Sequence, residues 1–215
     1  PVHIERLKMT ANEEKKAFDF ETRIAGTGIL CTLKTSVYFK GTLVGENITK
    51  INGDKAIYSI PLSEVHYWNV DTPDLYDVKY ELYNSSKQFD VVTSQIGFRT
   101  IKIDGNKILI NNKNTFLRLA LEQGYYRKGI YTATMDELIE EVNWIKRLGF
   151  NGIRMHQKLE DERFYYLCDL MGIYVWCEMP SCYDFNQDTV DNTIREWKEA
   201  IRQYYNHTSI IVWTP

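Results

Sequence analysis

The fold is decided by the stretch Phe150-Asn151-Gly152-Ile153-Arg154-Met155-His156-Gln157-Lys158, in which a short apolar run gives way to polar residues. Parallel strands stay hydrophobic until their carboxyl ends, so this run predicts a buried strand that opens into a polar cleft. The same design recurs at residues 173–178, where apolar residues end in Glu178. In a β/α barrel, such strand ends carry the binding and catalytic groups. Arg154, His156 and Glu178 are therefore expected to share one site.

Strands and helices alternate throughout the second half of the chain. A helix begins after Thr134, which forms a capping box with Glu137, and ends before Gly149. Further helices are predicted at residues 161–171 and 190–205. Further strands are predicted at residues 116–121 and 209–213, and the first of these is expected to be buried. This alternation is typical of a parallel α/β sheet.

The first half of the chain has a β pattern instead. Alternation is clearest at residues 75–83, where Tyr76 and Val78 share one face with Tyr80 and Leu82. The other predicted strands are residues 3–9, 15–24, 29–34, 37–43, 55–60 and 89–93, with a hairpin turn at residues 84–87. Seven short strands at this spacing predict an immunoglobulin-like β-sandwich over residues 1–103. Residues 104–215 are then the first half of a (β/α)8 TIM barrel.

Composition excludes several classes of function. A formal net charge of −3 argues against nucleic acid as a partner, since phosphate binding requires a basic face. No apolar run is long enough to span a membrane, and the first residues form a strand rather than a signal peptide, so we expect a soluble protein whose compartment is undetermined. A zinc site of Cys177, Cys182 and His207 matches no common ligand spacing. No metal or cofactor is predicted.

The barrel is predicted to be incomplete. Closure requires about eight strands, whereas the alternating pattern contains four. The open edge of such a sheet would aggregate, pair with a second copy as a homo-oligomer, or depend on the sandwich for stability. We therefore expect these 215 residues to be a piece of a longer protein.

Six stretches, in this order, resemble glycoside hydrolase family 2. The resemblance spans residues 68–213 and lies in Trp68-Asn69-Val70-Asp71-Thr72-Pro73-Asp74-Leu75-Tyr76, Ile96-Gly97-Phe98-Arg99, residues 110–113 with 116–118, Phe150-Asn151-Gly152-Ile153-Arg154, residues 167–175 and Asn206-His207-Thr208-Ser209-Ile210-Ile211-Val212-Trp213. It implies retaining hydrolysis of terminal β-glycosides, such as galactosides, glucuronides or mannosides. In that mechanism one carboxylic acid protonates the leaving oxygen and a second carboxylate, roughly 5 Å away, attacks the anomeric carbon.

The resemblance also locates the catalytic glutamates after Pro215, so no catalytic residue is expected within the chain. The match departs from the family pattern at three places. Arg154-Met155-His156 brings the imidazole one position early, residues 121–125 lack the family's histidine, and Asn206-His207-Thr208 replaces Asn-His-Pro. The resemblance therefore does not identify which sugar this chain binds. His207 is interpreted as a structural residue.

Six residues are predicted to bind the carbohydrate substrate, and some of them have a purely structural alternative. Arg154 contacts a sugar hydroxyl or orients a catalytic glutamate, or it forms a salt bridge with Glu178. Glu178 is given a supporting role, and His156 either contacts sugar or is a surface-loop histidine. The others are Glu122 and Gln123, which leave the first barrel strand toward the same rim, and Tyr183, which stacks on sugar or packs its loop.

Two functions remain open from the sequence. The first is a segment of a retaining, β-galactosidase-like enzyme that is inactive by itself. The alternative is a non-catalytic carbohydrate-binding or subunit-interaction module.

Overall fold

The computed structural model describes residues 2–26, 30–84 and 87–215. They form two compact units, described separately below. One unit comprises Pro1–Tyr67 and Asp74–Thr100, and the other comprises Trp68–Pro73 and Ile101–Pro215.

The first unit is a β-sandwich, as predicted. Its strands within the described residues are β1 (His3–Asn12), β2 (Ala17–Ala25), β3 (Cys31–Phe39), β4 (Thr42–Ile51), β5 (Lys55–Pro61), β6 (Tyr76–Asn84) and β7 (Lys87–Ile96). They pair antiparallel in two sheets, in the orders β1-β2-β5 and β4-β3-β6-β7. The inward face of β6 is the predicted one, since Tyr76, Val78, Tyr80 and Leu82 are each at most 1% exposed. Edge-on aromatic contacts such as Phe18 with Tyr76, at 5.2 Å between ring centroids, fill the core.

The strands between residues 29 and 51 were predicted wrongly, because the sequence indicated strands at residues 29–34 and 37–43 and most of β4 was missed. Strand β3 runs unbroken through Thr35 and Ser36, where the sequence indicated a break, because both hydroxyls find partners. Thr35 Oγ1 lies 2.7 Å from the Tyr58 hydroxyl, and Ser36 Oγ donates to Glu46 at 3.1 Å. The chain reverses instead at Lys40–Gly41, whose φ angles of 48° and 82° suit a tight hairpin turn.

The predicted turn at residues 84–87 includes residues 85 and 86, which lie outside the described residues. Ile29, the first residue of the predicted strand at 29–34, lies outside them as well.

In the second unit, residues 101–215 form a small antiparallel sheet and then a parallel β/α segment. The antiparallel strands are β8 (Ile101–Asp104), β9 (Lys107–Ile110) and β10 (Lys113–Asn114). The segment then runs through β11 (Leu119–Glu122), α1 (Met135–Arg147), β12 (Gly152–Met155), α2 (Glu162–Met171), β13 (Tyr174–Glu178), α3 (Gln187–Tyr204) and β14 (Ile210–Thr214). Its sheet has the order β11-β12-β13-β14, with every pair parallel. This is the predicted leading part of a barrel.

Helix boundaries follow the capping chemistry. The Thr134–Glu137 capping box at the start of α1 is confirmed, and so is Gly172 as the left-handed cap of α2, with φ 75°. A Cβ at Gly172 would lie 2.5 Å from the Val70 carbonyl oxygen, so the position also needs glycine for space. Helix α3 begins three residues earlier than predicted because Asn186 caps it reciprocally with Thr189.

The three helices pack on one face of the parallel sheet. Val142, Ile153, Phe164 and Val175 are fully buried there. The opposite face is different, because Leu121 on the edge strand β11 is 59% exposed. The expectation that the first strand of this sheet is buried was therefore wrong, since none of the four residues of β11 is buried. Leu121 pairs in register with Arg154 on the face away from the helices.

Asp169, at 7% exposure, joins α2 to the start of β14. Its carboxylate accepts from the Ser209 backbone N–H at 2.7 Å and lies 2.7 Å from His207 Nδ1. Its carbonyl oxygen accepts from Trp68 Nε1 at 2.8 Å. These contacts support the structural interpretation of His207. Within the described residues, no helix is long and apolar enough to cross a membrane.

Candidate functional site

A group of polar side chains gathers at the carboxyl ends of β12 and β13. Arg154 Nε donates to Glu178 Oε1, and the Gln157 backbone N–H donates to Glu178 Oε2 at 3.2 Å. The Glu178 side chain is only 6% exposed, whereas that of Arg154 is 48% exposed. The Tyr183 hydroxyl donates to Gln157 Oε1 at 3.3 Å, although the tyrosine itself is 84% exposed. We call Arg154, Gln157, Glu178 and Tyr183 the strand-end cluster.

The strand-end cluster presents a cation supported by a buried anion. Both carboxylate oxygens of Glu178 are occupied by donors, so this group holds Arg154 and the backbone after β12 in place. The guanidinium remains half exposed and can donate further hydrogen bonds outward. The salt bridge with Glu178, which was the structural alternative for Arg154, is present. It is compatible with a binding role for the same side chain.

His156 and Gln123 meet at the neighbouring strand ends. The His156 backbone N–H donates to the Glu122 carbonyl at 2.7 Å, and Gln123 Nε2 lies 3.1 Å from His156 Nδ1. Because an amide nitrogen only donates, Nδ1 is the acceptor and the ring proton of the neutral imidazole lies on Nε2. That proton remains a donor for a ligand.

The Glu122 side chain serves the loop that follows it. Its Oε1 accepts from the backbone N–H groups of Gln123 at 2.8 Å and Gly124 at 2.6 Å. Burial, and then the negative charge of Glu122, raise the pKa of the Glu141 carboxyl on α1 to about 8. Glu141 accepts a hydrogen bond from the Tyr126 hydroxyl at 2.8 Å. The Glu122 carboxylate is thus held by the backbone of the loop that follows it. A contact between Glu122 and substrate stays a prediction.

An ion pair that the sequence reasoning passed over lies directly behind this loop. Lys158 Nζ is 2.6 Å from Glu160 Oε2, and the two side chains are 12% and 2% exposed. Lys158 Nζ also donates to the Gly124 carbonyl oxygen at 2.9 Å. The available signal was the polar tail of β12, which continues past His156 to Lys158 and Glu160. Buried charges of this kind occur paired.

Chemically, the strand ends offer a guanidinium, an imidazole N–H, an amide and an exposed tyrosine. Such a set suits a ligand rich in hydroxyl groups, because each group can donate or accept in a fixed direction. Within residues 2–26, 30–84 and 87–215, no group of three or more His, Cys, Asp or Glu side chains could hold a metal ion.

Two family models match the chain. The model described as Glycosyl hydrolases family 2 matches residues 2–99. The model described as Glycosyl hydrolases family 2, TIM barrel domain, matches residues 101–214. The two matches together cover both units of the structure.

Individual relatives carry related names. The chain is 27% identical to a putative beta-glucuronidase of Formosa agariphila, over 99% of this chain and 27% of that protein. It is 25% identical to a beta-galactosidase of Lactobacillus delbrueckii subsp. bulgaricus, over 99% of this chain and 23% of that protein. The chain therefore spans about a quarter of the length of these curated relatives.

Solved structures share the fold. An FMN-binding beta-glucuronidase from Facaelibacterium prausnitzii L2-6 superposes with a TM-score of 0.86 at 25% identity, over 99% of this chain and 35% of that one. Bacteroides uniformis beta-glucuronidase 2, covalently bound to cyclophellitol-6-carboxylate aziridine, superposes with a TM-score of 0.87 at 23% identity, over 99% of this chain and 28% of that one. The likeness extends over both units.

Proposed function

Because the chain belongs to glycoside hydrolase family 2, we propose that it is a segment of a retaining β-glycosidase that hydrolyses terminal β-glycosidic bonds, with β-galactosides as the first substrates to test. It comprises an immunoglobulin-like β-sandwich followed by the start of the family's TIM barrel domain. The observation that carries the proposal is the strand-end cluster, in which Glu178 holds Arg154 at the carboxyl ends of neighbouring parallel strands.

The catalytic carboxyl pair lies outside these 215 residues in this proposal. Retaining hydrolysis needs one protonated carboxyl group and one free carboxylate, placed on either side of the scissile bond. Glu122 and Glu178 stand at strand ends, but each accepts hydrogen bonds that hold its carboxylate in the structure. Neither is poised to protonate a leaving group or attack an anomeric carbon. The isolated segment should accordingly show no hydrolase activity.

The residues present here bind and orient the sugar. Arg154 donates from its exposed guanidinium to a sugar hydroxyl, and His156 donates from Nε2. Gln123 fixes the His156 ring, and Glu178 fixes Arg154, so the donors are oriented before the ligand arrives. Tyr183 offers an exposed ring at the same end of the sheet. Preorganised donors of this type stabilise the transition state more than the ground state when its charge develops nearby.

Assays on two polypeptides test the proposal. The full-length protein should hydrolyse at least one aryl β-glycoside from a panel of galactoside, glucuronide and mannoside, with retention of anomeric configuration. The 215-residue segment should hydrolyse none. Turnover by the segment would overturn the placement of the catalytic carboxyl groups, and no turnover by the full-length protein would overturn the proposed activity.

The second candidate is a non-catalytic carbohydrate-binding or subunit-interaction module. The position of β11 at the end of the described sheet favours it, because an edge strand that exposes Leu121 can pair with a second copy. Sedimentation of the full-length protein, combined with the hydrolase assay, distinguishes the two. A stable homodimer of the full-length protein that lacks any hydrolase activity would favour the module.

A further inference from the structure

We propose that Lys158 is a positioning residue for glycoside binding, which acts with Glu160 by anchoring the β11–α1 loop (residues 123–133) under the substrate. The inference deepens the proposed function and rests on it. Lys158 itself touches no reacting atom in this account. It holds the loop that carries Gln123 and an exposed pair of tyrosines, Tyr125 and Tyr131.

The anchor is nearly buried and firmly attached to the helical layer. Glu160, at 3% exposure, donates its backbone N–H to the hydroxyl of the fully buried Tyr165 at 2.9 Å. Its carboxylate also accepts from the Asp161 backbone N–H at 2.9 Å. The Lys158–Glu160 ion pair is therefore fixed from below by the start of α2, and its cation points at the loop.

Gly124 sits directly on the ion pair. Its φ angle is +63°, and a Cβ at this position would lie 2.1 Å from Lys158 Nζ and 2.3 Å from Glu160 Oε2. The backbone can approach the anchor only because no side chain intervenes. The Gly124 carbonyl accepts from Lys158 Nζ at 2.9 Å. This contact fixes the residue that follows Gln123, and so the direction of the Gln123 amide toward His156.

Aromatic rings complete the attachment of the loop. Lys158 Nζ lies 5.5 Å from the centre of the Tyr126 ring and 5.0 Å from that of Tyr131, within the range of cation–π attraction. Tyr126 and Ile130 exchange two backbone hydrogen bonds, of 2.7 and 3.0 Å, which close the loop on itself. The ammonium thus holds both ends of this closed turn.

The loop presents aromatic surface outward. Tyr125 is 63% exposed and Tyr131 is 54% exposed, yet their hydroxyls are hydrogen-bonded at 2.8 Å and their ring centroids are 5.0 Å apart. Exposed aromatic side chains that are held in one arrangement cost little entropy on binding, and a ring with a polar tip suits a sugar face. Both tyrosines follow Gln123 in the same loop, and the Gln123 side-chain amide contacts His156.

Kinetics of the full-length enzyme on an aryl β-glycoside test the proposal. Lys158→Met should raise KM about tenfold, because the loop is displaced, and should change kcat by less than about threefold. Lys158→Arg keeps a cation for Glu160 and should restore KM to within about threefold of wild type. Lys198→Met, on the exposed face of α3, is the matched control and should leave both constants unchanged.

A double-variant cycle separates positioning from general stability. Tyr125→Ala alters only an exposed side chain and should by itself raise KM. Because Lys158 acts through the same loop, adding Lys158→Met to Tyr125→Ala should raise KM by no more than about twofold further. Independent, multiplicative effects would overturn the proposal, and so would an unchanged KM in Lys158→Met.

Should Lys158→Met fail to fold, Tyr125→Ala decides, since an unchanged KM in that variant also overturns the inference. Failure of the proposed function looks different. In that case the wild-type enzyme itself turns over no glycoside, and both proposals fall together. A wild type that turns over substrate, with variants of normal KM, overturns the loop anchor alone.

Discussion

The two faces of the parallel sheet differ in what covers them and in what they carry. Toward the helices, side chains such as Ile153, Val175 and Phe164 are fully buried in one apolar cluster. On the opposite face, Leu121 is 59% exposed and Arg154 is half exposed. Strand β12 contributes to both, since Ile153 and Arg154 are adjacent. One strand thus supplies apolar packing through alternate residues and, through the residues between them, the polar groups that we propose bind the glycoside.

The largest expected difference between the two faces is in stability. Phe164→Ala removes a fully buried ring from the helix-covered face and should lower the free energy of unfolding by about 3–5 kcal/mol. Leu121→Ala, on the opposite face, should change it by less than about 0.5 kcal/mol. Urea denaturation of the 215-residue protein measures both. Equal losses of unfolding free energy in the two variants would show that the sheet face away from the helices is also packed in solution.

The next effect separates binding from stability on the sheet face away from the helices. Glu178→Gln keeps the shape of the side chain but removes the charge that holds Arg154. We expect kcat/KM of the full-length enzyme to fall about 100-fold, as when a preorganised donor is lost. Glu162→Gln, on the exposed surface of α2, is the matched control. An unchanged kcat/KM in Glu178→Gln would make the ion pair purely structural.

A pH dependence is expected from the helix-covered side. Burial and the charge of Glu122 raise the pKa of Glu141 to about 8, above its ordinary value of 4.5. Between about pH 4.5 and 8, Glu141 therefore holds a proton in the folded state that it has released in the unfolded state. The stability that this proton contributes to the folded state is complete below pH 4.5 and is lost as pH rises through 8. Between pH 6 and 8, wild type should lose roughly 2 kcal/mol relative to Glu141→Gln.

Unfolding midpoints measured at several pH values check this expectation. Glu140→Gln, an exposed neighbour in the same helix, should follow the wild-type pH profile. A pH profile of Glu141→Gln parallel to that of wild type would show that Glu141 ionises normally.

The smallest expected effect on stability concerns a polar contact on the sheet face away from the helices. Trp176 Nε1 donates to Thr214 Oγ1 at 2.7 Å, between β13 and β14. Thr214→Val should cost about 1 kcal/mol or less, because both groups are partly exposed and water can replace the hydroxyl. Urea denaturation measures the change. A loss as large as that of Phe164→Ala would contradict the difference between the faces.

The sequence predicted the elements that depend on local rules. The capping box at Thr134 and the glycine stop at Gly172 follow from hydrogen-bonding and φ requirements that a few residues determine. The alternation in β6 followed from a period of two. Strand ends in the sandwich were missed where Thr35 finds a partner on β5 and Ser36 finds one on β4, because side-chain contacts between strands are not encoded in local sequence.

The site was predictable only in part, for a physical reason. Arg154 and Glu178 end neighbouring parallel strands, so their meeting could be inferred from the sheet alone. The contact between Lys158 and Gly124 depends on how an irregular loop folds back on the ion pair. Loop conformations of this kind follow from tertiary packing rather than from a residue period.

The central claim is that the face of the sheet away from the helices binds a glycoside through Arg154. Its most direct test is the Arg154→Ala variant of the full-length enzyme, assayed for kcat/KM on an aryl β-glycoside and for its urea midpoint, beside Arg202→Ala on the surface of α3. We expect kcat/KM to fall at least about 100-fold while the midpoint stays close to that of the Arg202→Ala control. Turnover that declines only in proportion to the folded fraction would contradict the claim.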